Sequence, residues 1–374
     1  MDIISRQLRT LITPEGELRL TLEDIPIEAL EPDEVVVRVD AAPINPSDVG
    51  DMLGPADITT LTTTRPEGRP VTTAKVPAQF ASRAAARKGK SVSVGNEGAG
   101  VVVDAGKDAQ HLIGTVVAAM AGRMFTSHRK LNMREILAFP GGVSPKQSAA
   151  AFVNPLTALG MLSTMRSEGH TALVHTAAAS NLGQMLNKLC LADSVELVNI
   201  VRSPAQEVIL QDIGARHIVN STAPDFREQL TAALSATGAT LAFDAVGGGP
   251  LAGQILGAME AALVAKIPPI GQYGSPVHKQ VYVYGRLDLS PTSVPAAVGF
   301  TWGIGGWLLF SHLTRIGPEA TAKLRQRVAN EITTTFASHF TREISLAEAL
   351  DADTIRTYAR AATGEKYLLV PSRD

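Results

Sequence analysis

The sequence predicts an α/β protein in which a smaller, mainly β unit with a barrel-like core precedes a doubly wound parallel sheet. Three observations carry this expectation. The first 45 residues alternate or are β-branched, as in Glu17-Leu-Arg-Leu-Thr-Leu22 and Glu34-Val-Val-Val-Arg-Val-Asp40, with no long helical period. From about residue 146 short apolar strands alternate with helical patterns at roughly 25-residue spacing, and parallel strands need such helical crossovers. The length of 374 residues suits two domains of ~150 residues, each able to bury a core.

In the β unit, Pro26, Pro32 and Pro43 punctuate the early strands, and Gly98–Asp104 and Ile113–Ala118 continue the pattern across a turn at 105–107. In the α/β unit, strands are expected at 172–175, 195–201, 217–220 and 240–246, with helices at 181–192, 204–213, 224–236 and 250–262. The tail offers a helix at 344–350 and a closing strand near 364–371, which the α/β unit does not need and the β unit can take back. The expected division is therefore 1–150, completed by about 333–374, and 151–332.

Thirty-four Lys and Arg against 36 Asp and Glu leave no excess of positive charge for a phosphate backbone, which argues against a nucleic-acid partner. A single cysteine, Cys190, cannot build a disulfide or a cysteine-rich zinc cluster, and the first residues lack a basic-then-apolar leader, so a reducing, cytoplasmic setting is expected. From Leu289 to Thr314 no formal charge occurs. Pro291, Pro295 and four glycines between 299 and 306 argue against a membrane span, and a buried or subunit-contacting helix is expected instead. In contrast, residues 58–94 hold seven Lys and Arg and one acid. That segment is either a solvated surface with a short Ala-rich helix at 78–88 or a positive flap that draws in an anionic substrate.

After the strand 172–175 comes Thr176-Ala-Ala-Ala-Ser-Asn-Leu-Gly183, then an amphipathic run with Cys190 on its core stripe. Strand, small-residue turn and helix stand in the order that lets backbone N–H groups face a pyrophosphate, although Ala178 and Ser180 replace the first two glycines of the usual frame. At the end of the next strand a coenzyme without a 2′-phosphate wants an acid, and the chain reads Val201-Arg202-Ser203. Arg202 can pair with a 2′-phosphate, which points to NADPH. Ser203-Pro204-Ala-Gln206 also has the form of a helix cap, with Arg202 as its solvated neighbour, and both readings stand.

Together these segments resemble the medium-chain dehydrogenase/reductase superfamily, and within it the zinc-free quinone oxidoreductase branch. Ala42-Pro-Ile-Asn-Pro-Ser-Asp48 is similar to G-x-N-P-x-D, Gly95-Asn-Glu-Gly-Ala-Gly-Val-Val102 to G-x-E-x-x-G-x-V, and Asn154-Pro-Leu-Thr-Ala158 to the L-T-A helix. Ala178–Gly183 is similar to the degenerate nucleotide turn, and Phe243-Asp-Ala-Val-Gly247 to F-D-x-x-G. The resemblance implies a Rossmann dinucleotide-binding domain over 151–332 and a GroES-like β catalytic domain over the rest. It implies a cofactor site of Ala178, Ser180, Asn181, Leu182, Gly183, Arg202, Ser203, Val246, Gly247 and Gly271. It places Asn45 and Thr157 near the nicotinamide as the catalytic pair, and a homodimer formed through a strand near 280–302. Asn45 and Asn96 stand where zinc-dependent relatives carry a Cys and a His, so no metal is expected.

Without a metal, easily reduced acceptors fit best, so the substrate is expected to be a quinone or an α,β-unsaturated carbonyl compound. Enoyl-thioester relatives use a tyrosine just after the N-P-x-D segment, and residues 49–95 contain none, although Tyr273, Tyr282 or Tyr284 could substitute. Phe300 and Trp302 could line a pocket or belong to core or interface. A non-catalytic NADPH-binding protein and a methyltransferase are the other classes weighed. The methyltransferase usually wants an acid after its second strand, which is missing here.

Overall fold

The computed structural model describes residues 3–139, 141–266, 272–360 and 362–374. The chain divides into two compact units, Met1–Val153 with Arg327–Asp374, and Asn154–Gln326.

The first unit opens with β1 (Ile4–Ile12), β2 (Glu17–Pro26), β3 (Glu34–Pro43), α1 (Pro46–Leu53), β4 (Thr62–Thr64), β5 (Val71–Lys75), α2 (Ala81–Ala84) and β6 (Val92–Ser93). It continues through β7 (Gly98–Ala105), β8 (Val116–Ala119), β9 (His128–Asn132), β10 (Ile136–Ala138) and α3 (Pro145–Ser148). One antiparallel sheet runs β4-β5-β2-β1-β6. The alternation visible in the sequence sets its inner face: Leu8, Ile12, Leu18 and Leu20 are fully buried, each stabilising the fold by roughly 1.5–3 kcal/mol relative to exposure. The same core takes Val35, Val37 and Val39 of β3 and Phe125.

The second unit contains α4 (Val153–Ser167, which starts one residue earlier), β11 (Ala172–His175), α5 (Asn181–Ala192), β12 (Glu196–Val201), α6 (Pro204–Asp212) and β13 (His217–Asn220). After these come α7 (Phe226–Thr237), β14 (Leu241–Asp244), α8 (Leu251–Lys266), β15 (Lys279–Val283), β16 (Trp302–Gly306) and α9 (Leu309–Glu331). Its sheet has the order β13-β12-β11-β14-β15-β16, and every pairing in it is parallel. Winding reverses between β11 and β14, which opens a crevice at the carboxyl ends of those strands. Val174, Val198 and Ala242 pack against Leu230 of α7 and Ile255, Leu256 and Met259 of α8. Cys190 is buried on α5, and burial raises its thiol pKa, as expected of a packing residue.

The chain then returns to the first unit with β17 (Arg342–Ile344), α10 (Ala352–Tyr358) and β18 (Tyr367–Leu369). β18 pairs antiparallel with β3 and parallel with β17, completing a sheet of order β10-β8-β7-β3-β18-β17 with β9 also on β3.

Three expectations change. The uncharged segment 289–314 is not one helix: β16 occupies Trp302–Gly306 at the sheet edge, and α9 starts only at Leu309. Glycine costs helix stability, and here it makes room: a Cβ on Gly303 would lie 2.6 Å from Gln280 Oε1, and one on Gly305 3.3 Å from the Tyr282 ring. In the tail, residues 344–350 contain strand and a single 3₁₀ turn, because Ser345 and Glu348 exchange side-chain and backbone hydrogen bonds and Asp351 caps α10 instead. In the basic segment, β4 and β5 extend the first sheet, and the Ala-rich helix contracts to Ala81–Ala84 between 3₁₀ turns.

Candidate active site

In the second unit, β11 ends at His175 and the chain turns through Thr176–Ser180 into α5. Ala177 takes a left-handed conformation, φ +51°, and the Ala178 N–H donates to Ile200 O at 3.2 Å. Ser180 caps α5, its Oγ accepting from the Gly183 N–H at 3.1 Å, which leaves its own hydrogen free to donate. A Cβ on Gly183 would lie 2.1 Å from Ala178 O. The helix thus packs against the turn as the third glycine of the dinucleotide frame requires, while alanine suffices at 178. Asn181 starts α5, and Leu182 is buried on it.

At the end of β12, Ser203 caps α6 by accepting from the Gln206 N–H, and the Arg202 N–H donates to Gln206 Oε1 at 3.0 Å. The capping arrangement is therefore present. The Arg202 side chain is exposed, and among the described residues no carboxylate pairs with its guanidinium.

At the end of β14 the Asp244 carboxylate is fully buried. It accepts from Thr176 Oγ1 at 2.7 Å, the Val246 N–H at 2.9 Å and the Gly247 N–H at 3.0 Å, while Thr176 Oγ1 accepts from the Ala245 N–H at 2.8 Å. Asp244 and Thr176 thereby tie the ends of β11 and β14 together at the reversal of the sheet. Gly247 has φ +81°, and a Cβ on it would lie 2.7 Å from Gly285 O. The turn after β11, Arg202 with Ser203, and Val246 with Gly247 thus lie at the carboxyl ends of β11, β12 and β14. Gly271 lies outside the described residues. Thr157 is buried on α4.

The substitute tyrosines are already engaged or exposed. The Tyr284 hydroxyl is 2.8 Å from His175 Nε2, and the two rings stack; burial lowers the imidazole to about 3 and pushes the phenol well above its ordinary range. Tyr282 donates to Glu168 at 2.9 Å and is pushed up to about 12 by burial and by Glu168. Tyr273 and Phe300 meet edge to face and are exposed, and Trp302 is partly so, which removes the core reading of Phe300 and Trp302.

In the first unit, Asn45 follows β3 and precedes α1. Its backbone N–H donates to Asp48 Oδ2 at 2.8 Å, and the Asn96 N–H donates to Asp48 Oδ1 at 2.7 Å. The Asn45 side-chain Nδ2 donates to Glu97 Oε1 at 2.9 Å, and Lys366 Nζ donates to Asn45 Oδ1 at 3.2 Å. Glu97 Oε2 accepts from the Phe152 and Val153 N–H groups at 2.8 and 2.9 Å. Asp48 and Glu97 are both fully buried. Burial pushes the Asp48 carboxyl up to about 7 against the Asn45 and Asn96 amides, and raises Glu97 against Lys366 and the three amides it accepts from. Burial also brings the Lys366 ammonium down to about 8, against the pull of Glu97 and Asp48. Asn96 Nδ2 donates to Ser47 Oγ at 3.1 Å. Among the described residues no three His, Cys, Asp or Glu side chains cluster as metal ligands.

Glu97, Thr176 and Asp244 lie inside the sequence motifs but were given no role as partners there, and Lys366 lies in none of them. Its one signal is its place directly before the buried Tyr367–Leu369 strand.

No family model and no curated protein matches the chain. Solved structures do. A provisionally assigned NADPH:quinone reductase from Mesorhizobium loti is 25% identical with a TM-score of 0.72, covering 98% of each chain. A second provisionally assigned NADPH:quinone reductase, from Bacillus thuringiensis, is 20% identical with a TM-score of 0.70, over 98% of this chain and 99% of its own. A mutant form of enoyl thioester reductase from Candida tropicalis is 18% identical with a TM-score of 0.65, over 98% and 100%.

Proposed function

We propose, for a chain with the two-domain fold of the medium-chain dehydrogenase/reductase superfamily, that it is an NADPH-dependent oxidoreductase acting on a quinone or an α,β-unsaturated carbonyl compound without a metal ion. The observation that carries this reading is the combination, at the carboxyl ends of β11 and β12, of the small-residue turn Thr176–Gly183 with the exposed Arg202, which pairs with no carboxylate among the described residues. The coenzyme fits these residues. Gly183 and Gly247 leave no room for a Cβ, α5 presents its N-terminus, and Ser180 keeps a hydrogen for a phosphate oxygen. Arg202 would hold the 2′-phosphate, with Ser203 beside it and with Val246 and Gly247 bordering the same crevice.

Bound NADPH would supply the hydride. The chain's own part is to orient the acceptor and to stabilise the negative charge that grows on its oxygen, for which we assign the Asn45 amide and the Thr157 hydroxyl. Quinones and enones suit this set because their reduced oxygen is delocalised and needs no strong acid. Tyr282 and Tyr284, with raised phenol pKa values, are poor proton donors. An enoyl-thioester substrate is the second reading, favoured by the exposed Arg65 and Lys75, which would meet a phosphate-bearing carrier. Further, we infer that a second copy of the chain pairs with the free edge of β16, whose flanks expose Leu289, Phe300, Leu308 and Phe310. No helix among the described residues is long and apolar enough to cross a membrane.

The test is a fluorescence titration with NADPH and NADH, followed by turnover assays with 1,4-benzoquinone, a cyclic enone and crotonyl-CoA. NADPH is expected to bind at least tenfold tighter, ~1.4 kcal/mol or more, and Arg202→Ala to erase most of that difference. Equal affinities in the unmodified protein would reject the 2′-phosphate assignment. Binding without turnover of any acceptor would reject the enzyme.

A further inference from the structure

We propose that Lys366 and Glu97 are positioning residues for Asn45, locking its carboxamide so that one N–H remains for the acceptor. The inference rests on the reading of Asn45 as a catalytic residue. A free asparagine amide can turn over and exchange its donor and acceptor ends at little cost. Here each end has a partner that admits one orientation only. Glu97 presents a carboxylate oxygen, which cannot donate while ionised, at 2.9 Å from Nδ2; Lys366 presents an ammonium, which cannot accept, at 3.2 Å from Oδ1. Turning the amide over would set two oxygens against each other and an NH₂ against an ammonium.

Glu97 is in turn held from its other oxygen by the Phe152 and Val153 amides, so its position does not depend on Asn45. Lys366 is anchored by its backbone, whose N–H donates to Thr341 Oγ1 at 3.1 Å, and its ammonium lies 5.8 Å from the centre of the Phe340 ring. The two residues are 269 positions apart in the chain and meet at this amide, where they also attract each other. A pair kept for stability alone would need no amide between its charges.

The test is a double-mutant cycle on turnover of 1,4-benzoquinone, with NADPH affinity measured alongside as a check that the second unit is intact. Lys366→Met is expected to lower kcat at least tenfold in the otherwise unmodified protein and less than twofold in an Asn45→Ala background, with NADPH affinity unchanged within twofold. The same factor in both backgrounds would overturn the proposal, because Lys366 would then act independently of Asn45. Lys366→Gln, which keeps a donor and packs in the same space, is expected to retain at least a third of the unmodified kcat. A loss as large as that of Lys366→Met would overturn positioning by hydrogen bonding. If Asn45→Ala alone leaves kcat unchanged, the catalytic reading of Asn45 fails, and that result is distinct from a cycle in which Asn45 matters and Lys366 does not couple to it.

Discussion

The two units build their candidate sites in opposite ways. In the second unit the turn that would face the diphosphate consists of backbone: amides at the start of α5, a carbonyl 2.1 Å from where a Gly183 Cβ would be, and an alanine at φ +51°. Side chains such as Asp244 and Thr176 serve that backbone by holding strand ends in place. In the first unit the site consists of side-chain charge: Asp48, Glu97 and Lys366, brought around one amide from three distant stretches of chain. A site made of backbone tolerates changes of side-chain type but no added volume. A site made of buried charges tolerates changes of volume better than changes of protonation.

The sharpest way to break this contrast is Gly183→Val. With no space for a Cβ, the helix must retreat from the turn, and NADPH affinity is expected to fall at least 100-fold, ~2.7 kcal/mol. Retained affinity by fluorescence titration would show that the turn is not the diphosphate site.

A second prediction concerns protonation in the first unit. The folded Asp48 carboxyl sits at about 7, above its usual 3.8, so folding favours its neutral form. Its contribution to stability is full at pH values below about 4 and is lost as pH rises towards about 7, up to roughly 4 kcal/mol. Urea unfolding at several pH values should therefore show stability falling over that window in the unmodified protein, with a flatter profile in Asp48→Asn. Identical slopes in the two proteins would show that Asp48 does not titrate there.

The smallest effect is expected from Ala177→Gly. Relief of the left-handed alanine should stabilise the protein by at most about 1 kcal/mol, partly offset by the entropy of glycine, and leave NADPH affinity within twofold. Thermal unfolding of the variant measures it. A marked loss of affinity instead would mean that the Ala177 methyl group itself touches the coenzyme.

The same contrast explains what could be read in the sequence. The strands expected at 172–175, 217–220 and 240–246, the last of which is observed over Leu241–Asp244, and the turn after the first of them were legible because they are contiguous and repeat a local pattern. The partners of Asn45 were not, since Lys366 lies 321 residues away and no local periodicity links the two. The edge strand Trp302–Gly306 was missed for a different reason. Its glycines carry no β propensity, and the Gln280 and Tyr282 side chains that stand close to Gly303 and Gly305 come from the neighbouring strand, more than twenty residues earlier in the chain.

The return of β18 to β3 has a consequence for biosynthesis. The middle stretch, Asn154–Gln326, is continuous in the chain and can fold as soon as it leaves the ribosome. The N-terminal stretch, made first, must wait for Tyr367–Leu369 before its second sheet gains its last two strands, and for Lys366 before the buried Glu97 meets its cation. During that interval the order of maturation runs against the order of translation.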